Sequence, residues 1–172
     1  FDYYSKAVKE GLYLSNVIGT YRDRSEAERA LEELKRNGFS DQEVSLVAKE
    51  DKADPEDENN EDGDNMDLSS GIFTGGAVGG VAGLLAGAGL LAIPGLGPIV
   101  ALGPLAATLG GAATGGVAGG LLDMGIPQDR GQYYENEVKS GRFLAVVQTD
   151  EGKAQSAADT MRKTGAKDVE MH

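Results

Sequence analysis

Apolar and polar positions follow two different periods in the first part of this chain. β-Branched and aromatic residues at Leu14 to Tyr21 (LSNVIGTY) and at Val44 to Ala48 (VSLVA) predict two strands. A helix is predicted between them, because apolar residues recur there at helical spacing: Ala27, Ala30, Leu31, Leu34. Ser25 and Glu28 have the spacing of an N-terminal capping box, and Gly38 is placed to end the helix.

The C-terminal part repeats this pattern. Arg142 to Thr149 and Asp168 to Met171 predict strands, Glu151 to Thr164 predicts the helix between them, and a further helix is predicted at Asp129 to Ser140. A shift of 127 residues places the helix face and stop signal of the first unit on matching residues of the second: Ala154, Ala157, Ala158, Met161, Gly165. The pattern indicates a duplicated βαβ unit, although any two strand-helix-strand units look alike at this level.

Two such units usually combine into one sheet. The predicted fold class is therefore α+β and ferredoxin-like, with two βαβ units, a four-stranded antiparallel sheet and both helices on one face. The more apolar first strand of each unit is expected in the centre. An apolar Gly-zipper helical hairpin is predicted as an insertion between the units.

The domain organisation follows from these patterns and from the charge along the chain. The predicted segments are an N-terminal segment with a helical apolar stripe at 1–13, the first βαβ unit at 14–49, an acidic flexible linker at 50–70, the Gly-rich apolar helical hairpin at 71–126, and the connecting helix with the second βαβ half at 127–172.

Charge is distributed very unevenly. The formal net charge is −12, and residues 50–67 contribute −9 of it through ten acidic side chains against Lys52. Such a stretch favours a solvated spacer. A nucleic-acid binder normally carries a basic stripe, which is missing from this sequence, so we expect no nucleic-acid partner.

Residues 68–122 contain no Asp, Glu, Lys, Arg or His. Two apolar stretches, 71–93 and 98–122, are each long enough as helices to cross a bilayer core of about 30 Å. Residues that favour turns join them: Pro94, Gly95, Gly97, Pro98.

Small residues recur every fourth position in both stretches. The first series is Gly71, Gly75, Gly79, Gly83, Gly87, and the second is Gly103, Ala107, Gly111, Gly115, Gly119. On helices, each series would form a strip against which another backbone packs closely. Because Gly costs nearly 1 kcal/mol per helical position in water, the hairpin is expected to need an apolar partner along its length.

Three partners are possible for this hairpin. One small αβ domain offers a single helix-free sheet face, so its own domain is expected to be insufficient. Lipid is the second partner, but the predicted turn carries no polar anchor for the far side of a membrane. Copies of the chain are the third, and a homo-oligomer or filament is the favoured prediction. The alternatives are a membrane-anchored protein and an oligomeric carrier of a lipid or quinone in an apolar cavity.

Three segments resemble a known family: VIGTYRDRSEAERALEELKRNGFSDQEVSLVA at Val17 to Ala48, IPGLGPIVALGPLAA at Ile93 to Ala107, and GIPQDRGQYYENEVKSG at Gly125 to Gly141. They resemble the bacterial general stress proteins, also called heat-induced stress proteins. The resemblance implies a stress-associated protein without a known catalytic reaction, so it implies no active site.

Motifs for chemistry are weak. Gly87 to Ala92 (GAGLLA) fits a dinucleotide pattern without the strand that must precede it, and Glu58 to Asp64 (ENNEDGD) lacks the first Asp and the last Glu of a calcium loop. The one histidine, His172, is terminal, and there is no cysteine. We therefore expect no enzyme, no catalytic residue, no cofactor and no metal site.

An apolar stripe in the N-terminal segment is the remaining candidate contact. If this segment is helical, the stripe docks either on its own domain or on a neighbouring subunit: Tyr3, Tyr4, Val8, Leu12. Cytoplasm is the default location, with membrane association left open. An extracellular location also stays open, because the numbering begins at Phe1.

Overall fold

The computed structural model describes residues 14–49, 89–93, 96–111 and 116–172. These residues form six strands and five helices, numbered here in chain order. The strands are β1 (Leu14–Tyr21), β2 (Val44–Lys49), β3 (Gly89–Ile93), β4 (Gly97–Leu102), β5 (Phe143–Asp150) and β6 (Lys167–Met171). The helices are α1 (Arg24–Arg36), α2 (Pro104–Gly111), α3 (Gly116–Asp123), α4 (Gln128–Lys139) and α5 (Glu151–Lys163).

All six strands belong to one sheet, in the order β3-β4-β2-β5-β1-β6, and each pair of neighbours is antiparallel. The longest pairing joins β1 to β5, from Leu14 opposite Asp150 to Tyr21 opposite Phe143. The first strand of each repeated unit thus lies between the second strands. The fold is α+β with an antiparallel sheet, as the sequence predicts, but the sheet has six strands instead of four.

Helices α1 and α5 cover one face of the sheet, where their apolar sides share a core with β1, β2 and β5. Each helix buries the positions that the repeat predicted: Ala27, Ala30, Leu31, Leu34 in α1, and Ala154, Ala157, Ala158, Met161 in α5. Gly38 and Gly165 follow these helices with φ of 90° and 105°, values that favour glycine.

The start of α1 differs from the prediction. Asp23 is the N-cap, and its carboxylate accepts a 3.0 Å hydrogen bond from the N–H of Glu26. The prediction that Ser25 caps this helix is wrong, because Ser25 already lies inside it. A carboxylate is both a strong acceptor and an anion at the positive end of the helix, which favours Asp at the cap.

Helices α2, α3 and α4 cover the other face of the sheet. Their buried residues share a second core with Ile18, Val47, Leu144 and Val146 of the central strands. Tyr134 and Val138 of α4 and Leu105 of α2 are fully buried in it. The fold therefore has three layers, with the sheet in the middle.

The uncharged segment corrects the main prediction. Residues 89–93 and 97–102 form the paired strands β3 and β4 and not arms of a helical hairpin, and the short helices α2 and α3 follow them. β4 pairs with β2 and buries Ile99 and Ala101, so this half of the segment is sheltered by its own chain. The expectation that its own domain could not shelter it is wrong for these residues.

A physical reason accounts for the difference. Gly and the β-branched residues of this segment are poor helix formers, and pairing with β2 satisfies the backbone groups that a Gly-rich helix would hold weakly. In the part of the chain that the structure describes, no helix reaches the length and hydropathy needed to cross a membrane. The first predicted arm, 71–88, and the acidic linker, 50–70, lie outside the described residues.

Candidate interaction surface

One part of the described fold contains no charged residue. It consists of residues 89–93, 96–111 and 116–122, and we call it the uncharged side. It comprises the β3–β4 hairpin at one edge of the sheet, α2 over the neighbouring strands, and α3 against α2 and α4. The opposite sheet edge, β6, carries Lys167, Asp168 and Glu170.

The uncharged side is fixed to the sheet at the start of α2. Ser45 of β2 is buried, and its Oγ accepts a 3.0 Å hydrogen bond from the N–H of Leu105. Ser45 therefore satisfies a free donor in the first turn of α2 from another strand. Gly103 precedes α2 with φ of 81°, and a Cβ at this position would lie 2.1 Å from the carbonyl oxygen of Val44. The backbones of these segments approach so closely that only glycine fits.

Two glycines set the contacts of α3 with its neighbours. A Cβ on Gly120 would lie 2.8 Å from Cδ2 of Leu109 in α2. A Cβ on Gly131 of α4 would lie 3.1 Å from the carbonyl oxygen of Ala118. The carboxylate of Glu135 also accepts a 2.9 Å hydrogen bond from the N–H of Ala118, near the N-terminus of α3. This anion satisfies a first-turn donor and interacts favourably with the helix dipole.

The exposed residues of α2 and α3 named here have small or apolar side chains. Leu122 is 50% exposed, Ala107 is exposed, and nothing lies within 4 Å of a Cβ built on Gly119. An exposed apolar side chain is common on its own. The distinctive feature is that none of these residues is charged, although the carboxylate of Glu135 in α4 contacts the N-terminus of α3.

The predicted packing residues do not share one helical face. Of the second series, Gly103 lies in the turn between β4 and α2, Ala107 is an exposed residue of α2, and Gly119 faces open space in α3. Gly111 ends α2, and its surroundings, like Gly115 itself, lie outside the described part. Gly103 makes a close contact with the β2 backbone, whereas Gly120 and Gly131, which also approach their neighbours closely, were not selected by the four-residue spacing.

Other candidate residues lie partly or wholly outside the described part. The entire first glycine series does so, as does the N-terminal stripe: Gly71, Gly75, Gly79, Gly83, Gly87 and Tyr3, Tyr4, Val8, Leu12. Of the predicted turn residues, Pro94 and Gly95 are outside, while Gly97 and Pro98 begin β4. The predicted turn residues thus fall between Ile93 and the start of β4, so they connect two strands and not two helices.

An ion pair and two aromatic rings join α4 to the charged edge β6. Arg130 Nε donates a 3.0 Å hydrogen bond to Glu170, and its guanidinium carbon lies 4.5 Å and 5.5 Å from the ring centres of Tyr133 and Tyr134. Burial would raise the pKa of Glu170, but the hydrogen bonds from Arg130 and His172 outweigh burial and lower it. The ion pair between Arg130 and Glu170 therefore links the edge strand β6 to α4.

The two tyrosines hold the same edge through Asp168. Tyr134 donates a 2.7 Å hydrogen bond to the carbonyl oxygen of Asp168, and Tyr133 donates to its carboxylate. That carboxylate raises the pKa of Tyr133 to about 12, and burial is the largest cause that raises the pKa of Tyr134. Asp168 has φ of 52°, an unusual conformation that these contacts stabilise. Both hydroxyls therefore serve as donors within the fold.

A buried carboxylate joins β2 to β5 at the other end of the strands. Glu43 accepts hydrogen bonds from the N–H and Oγ of Ser40 at 2.8 Å and 3.0 Å, and from Oγ1 of Thr149 at 2.9 Å. Burial would raise the pKa of Glu43, but these hydrogen bonds and the charge of Lys153 together lower it. The structure thus uses Glu43 as an ionised crosslink between the turn and β5.

Sequence reasoning did not select Glu43, Ser45, Arg130 or Glu170. Each of them has a partner distant in sequence, as in the pair of Thr149 and Glu43, which are separated by 106 residues. A local pattern carries no signal for such pairs. Within the described residues, no group of His, Asp or Glu side chains is arranged to hold a metal ion.

Comparison with known proteins supports the resemblance found in the sequence motifs. Residues 16–90 match the family model described as the heat induced stress protein YflT domain. The match begins in β1 and reaches the start of β3. Over these residues the match confirms the resemblance to the general stress proteins. No curated protein and no solved structure matches the chain.

Proposed function

We propose that this chain, which carries the heat-induced stress protein match over residues 16–90, is a non-enzymatic, stress-associated structural protein that binds copies of itself through its uncharged side. The single observation that carries the proposal is the location of charge on the fold. The partner is a second copy, and the interface is the part of the surface where neither copy brings a charge.

Net charge limits how two copies meet. Each copy has a formal net charge of −12, so like charges repel when charged surfaces approach. The β6 edge and the α1–α5 layer both carry acidic side chains. The uncharged side carries none, and two copies that meet there leave their charges at the rim and in solvent. A strongly basic partner would favour the charged surfaces instead.

The framework that presents this side fits a ferredoxin-like arrangement. Strands β2-β5-β1-β6 follow one another in the sheet, and α1 and α5 lie on one face, with the β3–β4 hairpin added beyond β2. The ion pair of Arg130 with Glu170 and the buried hydrogen bond of Thr149 to Glu43 connect elements within this framework. These charged side chains therefore stabilise the fold through contacts within the chain. The uncharged side is the surface that we propose for the partner.

The test is the mass of the full chain in solution without detergent. Light scattering after size exclusion should show an oligomer whose share rises with protein concentration. Because screening weakens the repulsion between two acidic copies, added salt should strengthen the association. An interface made of opposite charges would respond to salt in the opposite direction.

Three results would contradict the proposal. One is a monomer at every concentration and salt level. Another is recovery of the chain only with detergent, which favours the membrane-anchored alternative. The third is stoichiometric lipid or quinone in extracts of the purified protein, detected by mass spectrometry, which favours the carrier alternative.

A further inference from the structure

Helix α1 ends in a turn that places an asparagine directly before a glycine. Asn37 is the C-cap of α1, and Gly38 follows it with φ of 90°. The N–H of Gly38 donates a 3.0 Å hydrogen bond to the carbonyl oxygen of Lys35. The N–H of Phe39 donates another, also of 3.0 Å, to the carbonyl oxygen of Leu34. This is the Schellman pattern of hydrogen bonds, which favours glycine directly after the cap.

An asparagine followed by glycine can lose its side-chain amide without an enzyme. The backbone nitrogen of the glycine attacks the carboxamide carbon and forms a C–N bond to it, while the bond from that carbon to Nδ2 breaks. The proton of the attacking nitrogen passes through water to Nδ2, which leaves as ammonia, and water then opens the cyclic imide to aspartate or isoaspartate. Glycine favours the attack because no side chain lies beside its nitrogen and its backbone is the least restricted.

Asn37 has the sequence and the access that this reaction needs. No other asparagine in the chain precedes a glycine. Asn37 and Gly38 are both exposed, and nothing lies within 4 Å of a Cβ built on Gly38. Water therefore reaches the peptide bond between them, so access does not limit the reaction.

The fold holds both reacting groups in hydrogen bonds. Nδ2 of Asn37 donates a 3.1 Å hydrogen bond to Oγ1 of Thr160 in α5, which directs the carboxamide toward the neighbouring helix. The N–H of Gly38 is bonded to the carbonyl oxygen of Lys35, and the attack requires that nitrogen to give up its proton. Both groups are released only when the last turn of α1 opens, and helix ends open at a lower free energy than the whole fold.

We propose that Asn37 is a modification site that stays intact while the end of α1 is closed and deamidates when heat opens it. The only co-reactant is water, and the site does not depend on the proposed self-association. Because the ammonia is lost, the change is not reversed when the turn closes again. The modified fraction therefore rises with the total time that this turn has spent open.

The product weakens the turn that protected the asparagine. An aspartate there has no N–H to donate to Thr160, and it places an anion at the negative end of the α1 dipole. An isoaspartate also lengthens the backbone within the Schellman turn. Asn37→Asp reproduces one of the two products and should lower the Tm by about 2–4 °C. An unchanged Tm would contradict this consequence.

Mass spectrometry of the digested protein tests the site in the unmodified chain. Samples are kept at slightly alkaline pH below the unfolding temperature, with and without denaturing urea, and each asparagine peptide is followed for the mass increase from amide to acid. In urea, Asn37 should convert faster than Asn136, which is also exposed in the fold but precedes Glu137. In the folded chain, conversion of Asn37 should be at least about tenfold slower than in urea.

A pair of variants separates the contact with Asn37 from a general loss of stability. Thr160→Val removes the acceptor of Nδ2, so deamidation of Asn37 in the folded chain should become at least about threefold faster. Thr164→Val is the matched control, because it removes another buried hydroxyl at the same end of α5, one bonded to Tyr21 and to the carbonyl oxygen of Met161. Its effect on the rate should be less than about twofold.

Three results would overturn the inference. One is conversion of Asn37 in urea that is no faster than that of Asn136, because the site would then not be labile. Another is the same rate with and without urea, because the fold would then give no protection. The third is an equal acceleration by Thr160→Val and Thr164→Val. If Thr160→Val does not fold, the comparison of the folded and urea samples still decides.

Discussion

The hydroxyl oxygen of Ser45 in β2 accepts a 3.0 Å hydrogen bond from the backbone N–H of Leu105 in α2, across 60 residues of sequence. The first turn of a helix has free N–H groups. Here a residue on a distant strand, and not one in the segment just before the helix, accepts the hydrogen bond from one of them. The contact joins the central sheet to the uncharged side at a buried point.

Removal of this hydroxyl should destabilise the fold. Ser45→Ala leaves the buried N–H of Leu105 without its acceptor, so the free energy of unfolding should fall by about 1–2 kcal/mol. Urea denaturation followed by circular dichroism measures the change. The matched control is Ser140→Ala at an exposed helix end, with an expected change within about 0.5 kcal/mol. Equal effects of the two substitutions would contradict the role of Ser45.

A Cβ at Gly103 should be far more harmful than one at Gly97. Both residues have positive φ, 81° and 78°, so alanine pays a backbone cost of about 1 kcal/mol at either position. At Gly103 the new Cβ would also lie 2.1 Å from the Val44 carbonyl oxygen, whereas at Gly97 nothing lies within 4 Å. Gly103→Ala should therefore cost at least about 2 kcal/mol more than Gly97→Ala in denaturant unfolding. Similar costs would show that the chain does not make this close approach.

Adjacent glycines in α3 should respond differently to alanine. Gly119 faces open space, so Gly119→Ala should stabilise the protein by up to about 1 kcal/mol through helix propensity. Gly120→Ala gains the same propensity but brings a Cβ within 2.8 Å of Leu109, so its stability should be unchanged or lower. Thermal unfolding of the two variants measures the difference. A more stable Gly120→Ala than Gly119→Ala would contradict the packing of α3.

Acid should weaken the crosslink at Glu43. Its folded pKa lies below the ordinary value of 4.5, so its contribution to stability is complete above pH 4.5 and is lost as pH falls through the folded pKa. Glu43→Gln should lower the free energy of unfolding at neutral pH by about 1–3 kcal/mol and flatten its fall below pH 4.5.

Urea unfolding at a series of pH values tests this prediction. Glu32→Gln is the control, because Glu32 is an exposed carboxylate paired with an exposed arginine. The control should keep the acid dependence of the unmodified protein. If Glu43→Gln also keeps it, the crosslink does not contribute to acid stability.

The two repeated units were predictable from local patterns. Apolar spacing at Ala27 to Leu34 and at Ala154 to Met161 identified the buried faces of α1 and α5, and Gly38 and Gly165 marked their ends. These features depend on residues within one or two helical turns of each other. The family resemblance was also visible in the sequence, and the match over residues 16–90 confirms it.

The described strands of the uncharged segment, β3 and β4, were misinterpreted because their composition permits two structures. Gly and Ala at four-residue spacing are compatible with close helix packing, and the stretch is long enough to span a membrane. The exposed edge of β2 offered an alternative that the one-dimensional pattern does not show. Pairing β4 with β2 satisfies the backbone and buries Ile99 and Ala101 at the same time.

The sequence by itself determined the two βαβ units, the ends of their helices and the lack of charge from 68 to 122, because local spacing and composition suffice for each. Only the tertiary structure decided that residues 89–93 and 97–102 are strands and that Gly103, Gly120 and Gly131 make the close contacts. It also decided that Ser45 reaches Leu105 and Glu43 reaches Thr149. Each of these depends on a backbone or side chain brought from a distant part of the chain, and no local preference encodes that approach.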